Sequence, residues 1–150
     1  MKIDIQKYWD KDLCPIINGI IFANSVVKML EPKHADEFTY IPQFSGTTSI
    51  EEINSVDDLK LTTICKMKSL EVEEANLRIY CGEGSWGSEG FVAVCDIADD
   101  KLQWIAYFDY SNPMVKVEYL NGKIVSYSNL GHKWEFNIST PENVLVSLTK

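Results

Sequence analysis

Side chains that could support nucleophilic or metal chemistry are few in this 150-residue chain and are widely spaced. They are two histidines and four cysteines: His34, His132, Cys14, Cys65, Cys81 and Cys95. No two cysteines form a C-x-x-C pair, and no zinc-ligand spacing occurs. Neither histidine lies in a sequence typical of a metal site or of a Cys–His or Ser–His–Asp site. We therefore predict no metal ion, no cofactor and no enzymatic activity.

A glycine-rich segment at residues 82–87, Gly-Glu-Gly-Ser-Trp-Gly, matches the G-x-G-x-x-G pattern of dinucleotide-binding loops. In those proteins a helix follows the loop, and its N-terminus binds the pyrophosphate. Here residues 91–95 are Phe-Val-Ala-Val-Cys, which is typical of a strand, and Glu83 and Glu89 would repel phosphate. The segment is therefore predicted to be a hairpin loop. Trp86, between glycines, is the kind of residue that anchors protein interfaces.

Acidic residues dominate the charge of the chain, with a net charge of −8 and a pI of about 4.7. Residues 31–74 contain ten acids against four lysines, and residues 83–109 contain six acids against one lysine. Adjacent acids such as Asp99 and Asp100 are typical of solvated surface, and a glycosidase site would need two carboxylates facing each other across a cleft. A chain with one arginine, Arg78, is poorly suited to nucleic acid. The acidity either keeps the protein soluble or attracts a basic partner.

The N-terminal region carries lysines followed by an apolar run at residues 13–23, as a signal peptide does. Acidic residues lie among the lysines, and Pro15 and Asn18 interrupt the run, so we predict one or two buried strands there instead. No run reaches the about 18 apolar residues that cross a membrane. The cysteines could form disulfides in any of three pairings. Cys81 and Cys95 lie in apolar strand-like runs, however, so we interpret all four as reduced in the cytoplasm.

Short β-rich runs separated by turn residues fill the second half of the chain. They are predicted at 77–81, 91–97, 102–110, 115–120, 124–128 and 134–138, with a last strand at 144–148. Asn121-Gly122 predicts a type I′ hairpin turn, because both residues tolerate positive φ, and residues 98–101 predict a second hairpin. Such spacing is typical of an antiparallel meander, sandwich or barrel.

The first half of the chain has a more mixed pattern. Ser49 and Glu52 form a capping box that predicts a short helix at 50–59. Strands are predicted at 20–30 and 61–66. Residues 30–48, with two prolines and several aromatics, are predicted to be a long loop. The predicted fold is a single α+β domain over residues 1–150, mainly antiparallel β, a meander or sandwich of about six to eight strands with one or two short helices.

Alternation along the run 102–110 divides its side chains between two faces. The face predicted to be the core consists of Leu102, Trp104, Ala106, Phe108 and Tyr110, and the other face consists of Gln103, Ile105, Tyr107 and Asp109. These residues support two alternative functions. One is a small-molecule-binding β domain or an enzyme with a pocket lined by Trp104, Tyr107 and Trp134. The other is a self-associating subunit that uses the second face as its contact patch.

Aromatic and turn residues of the C-terminal half resemble a bacterial immunity-protein pattern. They are Trp104-Ile105-Ala106-Tyr107-Phe108-Asp109, Ser111-Asn112-Pro113, the run from Ser128 through Gly131-His132 to Phe136, and Pro141. The resemblance covers residues 86–141. Immunity proteins are the small cytoplasmic antidotes of polymorphic-toxin and contact-dependent growth inhibition systems. The resemblance implies an inhibitor that covers the active site of a toxin domain, such as a nuclease, and it implies no catalytic residues.

These observations lead to one prediction of function. We predict a monomeric, cytoplasmic immunity protein that binds a basic cognate toxin domain, with neither nucleic acid nor membrane as a partner. The contact residues are predicted to be acidic and aromatic loop residues: Glu83, Trp86, Glu89, Asp99 and Asp100.

Overall fold

The computed structural model describes residues 2–37 and 39–148. Two short helices are present in this part of the chain, α1 (Ile5–Trp9) and α2 (Ile50–Val56). The strands are β1 (Leu13–Pro15), β2 (Gly19–Phe22), β3 (Val26–His34), β4 (Tyr40–Ser49), β5 (Leu61–Thr63), β6 (Cys65–Val72), β7 (Leu77–Glu83), β8 (Gly90–Asp96), β9 (Leu102–Phe108), β10 (Met114–Leu120), β11 (Lys123–Ser128), β12 (Lys133–Asn137) and β13 (Leu145–Ser147). No helix among these residues is long and apolar enough to span a membrane.

The strands form three sheets, in each of which neighbouring strands are antiparallel. The largest has the order β4-β3-β2-β9-β8-β7-β6, the second has the order β10-β11-β12-β13, and the smallest pairs β1 with β5. The predicted class, α+β with mainly antiparallel β structure, is confirmed. The described residues contain more strands than predicted, because the first half of the chain contributes six of them.

Both faces of the seven-stranded sheet are covered. The four-stranded sheet packs on one face and forms the first core, which includes Trp104, Phe108, Trp134 and Phe136. The helices and the small sheet pack on the other face and form the second core, which includes Trp9. The result is three layers, with the central strands of the large sheet in the middle.

Strand β9 therefore has no face exposed to solvent along its centre. Ile105 and Tyr107 are fully buried in the second core, so the prediction of a self-association patch on that face is wrong. Apolar residues on both faces are typical of a strand covered on both sides, as this one is. Leu102 also lies in the second core rather than the first, because the register against β8 shifts by one residue at Gln103 and reverses the side on which Leu102 lies.

Every strand predicted in the second half is present, with boundaries that differ by a few residues at most. The hairpin at Asn121-Gly122 is confirmed, with φ angles of 50° and 80° at these two residues. The hairpin between β8 and β9 is also confirmed, and Asp100 there has a φ of 58°. Asparagine, aspartate and glycine tolerate this conformation better than other residues do, so the turn chemistry determines where these strands end.

The first half departs from the predictions at four places, one of which is the strand predicted at 61–66, because this segment forms two strands, β5 and β6, in different sheets. The capping box is confirmed, because the Ser49 hydroxyl accepts a hydrogen bond of 3.1 Å from the amide of Glu52. The helix ends at Val56, since the Asn54 side chain accepts a hydrogen bond from the amide of Leu59 and directs the chain away from helical geometry. The strand predicted at 20–30 is two strands, β2 and β3, joined by a turn at Ser25 with a φ of 77°.

The long loop predicted at 30–48 is wrong, because most of these residues pair as the hairpin of β3 and β4. Pro32 lies opposite Pro42 in this hairpin. Proline is tolerated here since β4 is an edge strand and β2 pairs with β3 only as far as Met29. The outer part of the hairpin has little core beneath it, and Phe44 is 53% exposed.

Candidate functional site

The connection between β7 and β8 presents the most exposed tryptophan of the described residues. Trp86 lies between the end of β7 at Glu83 and the start of β8 at Gly90, and it is 69% exposed. A backbone hydrogen bond of 3.1 Å from the amide of Glu89 to the carbonyl of Trp86 closes the loop. Large aromatic side chains at the surface are typical of protein-binding sites, because their burial on binding contributes much of the affinity.

The buried side chain of Glu89 holds this loop in place. Glu89 is only 2% exposed, and its carboxylate accepts a hydrogen bond of 3.0 Å from the Trp86 amide. The same carboxylate accepts hydrogen bonds from the Thr62 hydroxyl, at 3.3 Å, and from the phenol of Tyr107. Glu89 therefore ties the loop to β5 and to the centre of β9, and it fixes the backbone of Trp86.

A second set of hydrogen bonds joins the loop to β5. The amide of Ser85 donates to the Thr62 hydroxyl at 3.2 Å, and the Ser85 hydroxyl donates to the carbonyl of Thr63 at 3.2 Å. Because its amide and its hydroxyl both bond to β5, Ser85 is fixed in place next to Trp86. The loop is thus preorganised, and a partner that contacts Trp86 need not order it first.

Two of the three glycines in the G-x-G-x-x-G segment have structural roles that explain their positions. A side chain at Gly84 would collide with the Glu89 carboxylate, and one at Gly82 would collide with the carbonyl of Cys65. Gly87, by contrast, faces open space. The structure therefore accounts for the glycines at 82 and 84 by close packing, and the strand that follows confirms the hairpin prediction.

A shallow recess of about 310 Å³ lies beside the tryptophan. We name it the Trp86 recess, and it is lined by Ile16, Trp86, Ser88, Glu89 and Asp109. Asp109 is positioned by a reciprocal pair of hydrogen bonds, in which its carboxylate accepts from the Asn18 side chain at 3.2 Å and its amide donates to that side chain at 2.8 Å. Ile16 is partly exposed, so apolar, aromatic and acidic groups meet here.

The structure separates the five predicted contact residues into three groups. Glu83 and Trp86 lie on the β7–β8 loop or at its edge, whereas Glu89 is buried beneath it. The interpretation of Glu89 as a surface contact is therefore corrected, because its charge is used to hold the loop. Asp99 and Asp100 lie at the opposite end of β8, about 20 Å away at roughly 3.3 Å per residue.

Asp100 belongs to a network around Arg78. Its carboxylate accepts from the Arg78 guanidinium at 3.2 Å and from the Tyr80 phenol at 2.7 Å, and Glu71 pairs with the same guanidinium at 3.1 Å. Burial, together with the neighbouring Asp100, raises the pKa of Tyr80 to about 12. Asp99 remains exposed, and its carboxylate accepts a hydrogen bond only from the nearby amide of Lys101 among the bonds described. Arg78, the one arginine of the chain, is therefore paired with acidic residues of the protein itself.

The proposed aromatic pocket does not form. Trp104 and Trp134 are buried in the first core, whereas Tyr107 is buried in the second core, on the other side of the sheet. Alternation along β9 requires this separation, since residues 104 and 107 are three positions apart in the strand and their side chains therefore point to opposite faces of the sheet. The three side chains fill the interior and do not line a common cavity.

Residues with nucleophilic or metal-binding potential are dispersed. The four cysteines are free thiols, and three of them are buried. Burial raises the pKa of Cys81 to about 11 and that of Cys95 to about 12, which disfavours the reactive thiolate. Burial raises the pKa of Cys14 well above its usual range, and the negative charge of Glu89 adds to this effect. Residues 2–37 and 39–148 contain no group of three or more side chains placed to bind a metal ion.

Sequence reasoning missed three members of the site: Ile16, Thr62 and Asp109. Ile16 and Thr62 are distant from Trp86 in the chain, and no local pattern indicates that the small sheet lies beside the loop. The one signal for Asp109 is alternation, which predicts it on the same strand face as Tyr107. Comparisons with protein-family models, curated proteins and solved structures found no match to this chain.

Proposed function

We propose that this chain is a protein-binding inhibitor, a monomeric cytoplasmic immunity protein that neutralises a basic toxin domain by covering its active site. The observation that carries the proposal is the loop of Trp86, in which a buried carboxylate fixes the backbone while the indole stays exposed. Preorganised aromatic side chains are common anchors of tight interfaces, because little conformational freedom is lost on binding. The inhibitor has no catalytic step of its own.

The charge around the loop supports a basic partner. Glu83 and Asp109 lie near Trp86, and the whole chain has a net charge of −8. Complementary charge accelerates association with a basic surface and disfavours acidic partners. Active-site surfaces of enzymes that act on nucleic acid are basic, since they must bind phosphates, so a nuclease toxin suits this surface.

The size of a typical interface limits which residues can share one contact surface with Trp86. A standard interface buries about 800 Å² on each partner, which corresponds to a round patch about 16 Å in radius. A patch centred on Trp86 includes Glu83, Ile16 and Asp109. Asp99 and Asp100, about 20 Å along β8, lie at or beyond its edge. The proposed contact surface is therefore the Trp86 end of the molecule.

The experiment is capture of the toxin from the native host with three tagged baits: the natural chain, Trp86→Ala and the matched control Asp99→Asn. We expect the natural chain and Asp99→Asn to recover the same single basic domain at 1:1, and Trp86→Ala to recover much less of it. Truncation of an interface anchor costs about 2–4 kcal/mol of binding free energy, which is at least a thirtyfold loss of affinity.

The recovered domain is then expressed alone and together with this chain. The proposal requires that the domain is toxic alone and that co-expression relieves the toxicity. Recovery of the same domain by Trp86→Ala in undiminished amount would remove the loop from the contact surface. A captured domain without toxicity would contradict the inhibitor function.

A further inference from the structure

The Trp86 recess has a feature that a general acidic surface lacks. It contains the exposed indole of Trp86 together with the exposed carboxylate of Asp109. Its volume of about 310 Å³ is at the lower end of the range of about 300–1,000 Å³ for small-ligand pockets. A recess of this size and shape suits one side chain or a small group better than a large metabolite.

The Asp109 carboxylate has no cationic partner within the part of the chain that the structure describes. The ion pairs of those residues involve other acids, and no lysine or arginine side chain pairs with Glu89 or Asp109. An exposed carboxylate without a countercharge attracts a cation, and the exposed indole beside it offers a face against which a planar cation can lie.

We propose that the Trp86 recess binds a guanidinium group. A guanidinium is planar, so it can lie against the indole of Trp86, and its N–H groups can form paired hydrogen bonds with the carboxylate of Asp109. It is less strongly hydrated than an ammonium group, which lowers the cost of partial burial beside Ile16. The inference rests on the proposed function, in that the natural source of the group is an arginine side chain of the bound protein.

The test uses a small probe, so that it does not depend on the identity of any partner protein. Nα-acetyl-L-arginine methylamide is titrated into the ¹⁵N-labelled chain, and the indole N–H signal of Trp86 is followed by NMR. The spectrum of Trp86→Phe assigns this signal. Trp9, Trp104 and Trp134 are buried and serve as internal references. We expect a saturable shift of the Trp86 signal alone, and weaker binding at high salt because the attraction is electrostatic.

Two further probes separate charge and shape. The corresponding citrulline derivative has nearly the same shape without the charge, and we expect it to cause no saturable shift. The lysine derivative has the charge without the planar fork, and we expect it to bind several-fold more weakly than the arginine derivative. Equal binding by citrulline would overturn the cation site, and equal binding by lysine would overturn its assignment to guanidinium.

A matched pair of variants tests the position of the site. Asp109→Asn removes a charge at the recess and keeps a side chain able to bond Asn18, so we expect an affinity about threefold lower. Asp99→Asn removes a charge at the far end of β8 and should leave the affinity unchanged. Equal loss in both variants, or none in Asp109→Asn, would overturn the proposal.

The outcomes also distinguish this inference from the proposed function. If the arginine probe binds as expected and no toxin is found, the guanidinium site stands and the inhibitor function fails. If a toxin is captured through Trp86 but the arginine probe causes no saturable shift, the inhibitor function stands and the guanidinium site is wrong.

Discussion

The two ends of strand β8 carry hairpin connections that both contain acidic residues but are constructed differently. At the β7–β8 end, Glu89 is buried and bonded to neutral donors, and the aromatic residue of the loop points outward. At the β8–β9 end, Asp100 is bonded to Arg78 and Tyr80, and no large aromatic residue is exposed in the turn. An acidic residue therefore holds a loop with an exposed aromatic side chain at one end and belongs to an ion-paired network at the other.

An acidic residue in a loop is therefore not by itself a contact residue. Its neighbours in space decide whether its charge faces solvent, is neutralised by a cation or orders the backbone. Glu89 and Asp100 are acids at the two ends of the same strand, yet only the first holds the backbone of an exposed tryptophan in place. A variant at one end and a matched variant at the other can therefore separate the two roles.

The largest effect on stability is expected from Glu89→Ala. The substitution leaves the Trp86 amide and the phenol of Tyr107 without their acceptor, in or next to the second core. Unsatisfied buried donors and the resulting cavity lower the free energy of unfolding by about 2–4 kcal/mol. Urea denaturation followed by circular dichroism measures the loss, and hydrogen exchange at residues 85–88 should accelerate.

The control for this variant is Asp99→Ala at the other end of β8. Its side chain is exposed, so the free energy of unfolding should change by less than about 0.5 kcal/mol. Comparable losses for the two variants would contradict the distinction between the two ends.

A smaller effect is expected from Gly84→Ala. The added methyl group would collide with the Glu89 carboxylate and displace it from its hydrogen bonds. Such overpacking costs about 1–3 kcal/mol of unfolding free energy, measurable by urea denaturation. Gly87→Ala is the matched control, because the same methyl group at that position meets open space. Equal stability of the two variants would contradict the collision expected between a side chain at position 84 and the Glu89 carboxylate.

Tyr80→Phe tests the opposite end of the strand. The variant loses one hydrogen bond to Asp100, so the free energy of unfolding at neutral pH should fall by about 1 kcal/mol. The folded-state pKa of Tyr80 is about 12, above its ordinary value, so the stability that this phenol contributes is fully present below about pH 10 and is lost as pH rises toward 12. Absorbance at 295 nm should show one fewer late-titrating phenol in the variant, and an unchanged titration curve would contradict the assignment.

The smallest effect is expected from Asp99→Lys on the rate of association with the captured toxin domain. Asp99 is exposed and lies away from Trp86, so the change alters only the long-range field and should lower the rate about twofold at low salt. Asp109→Lys should lower the rate much more. Stopped-flow fluorescence measures both, and a larger effect at position 99 would move the interface to the other end of the molecule.

Much of the fold could be predicted because the signals are local. The strands of the second half, the Asn121-Gly122 turn and the cap at Ser49 depend on backbone preferences within a few residues. The long hairpin of β3 and β4 could not be predicted in this way. Its prolines are compatible with strands only because the hairpin extends beyond β2 at the edge of the sheet.

Less of the candidate site could be predicted. Trp86 stood out because a tryptophan among glycines is seldom buried, and the structure places it at the surface. The burial of Glu89 could not be predicted, because the sequence near it contains no sign of the donors that surround it. Those donors come from β5 and from β9, which reach the loop only through the sheet arrangement.

In the second half of the chain, local sequence preferences determine where the chain turns and which segments become strands, since φ preferences and alternation act over short distances. The overall acidity follows from the composition alone. Only the tertiary structure decided that both faces of β9 are buried, that Glu89 lies inside the fold and that Ile16 and Asp109 lie beside Trp86. These features depend on contacts between distant segments, whose free energy is set by packing three layers together and is not encoded in any single stretch of the chain.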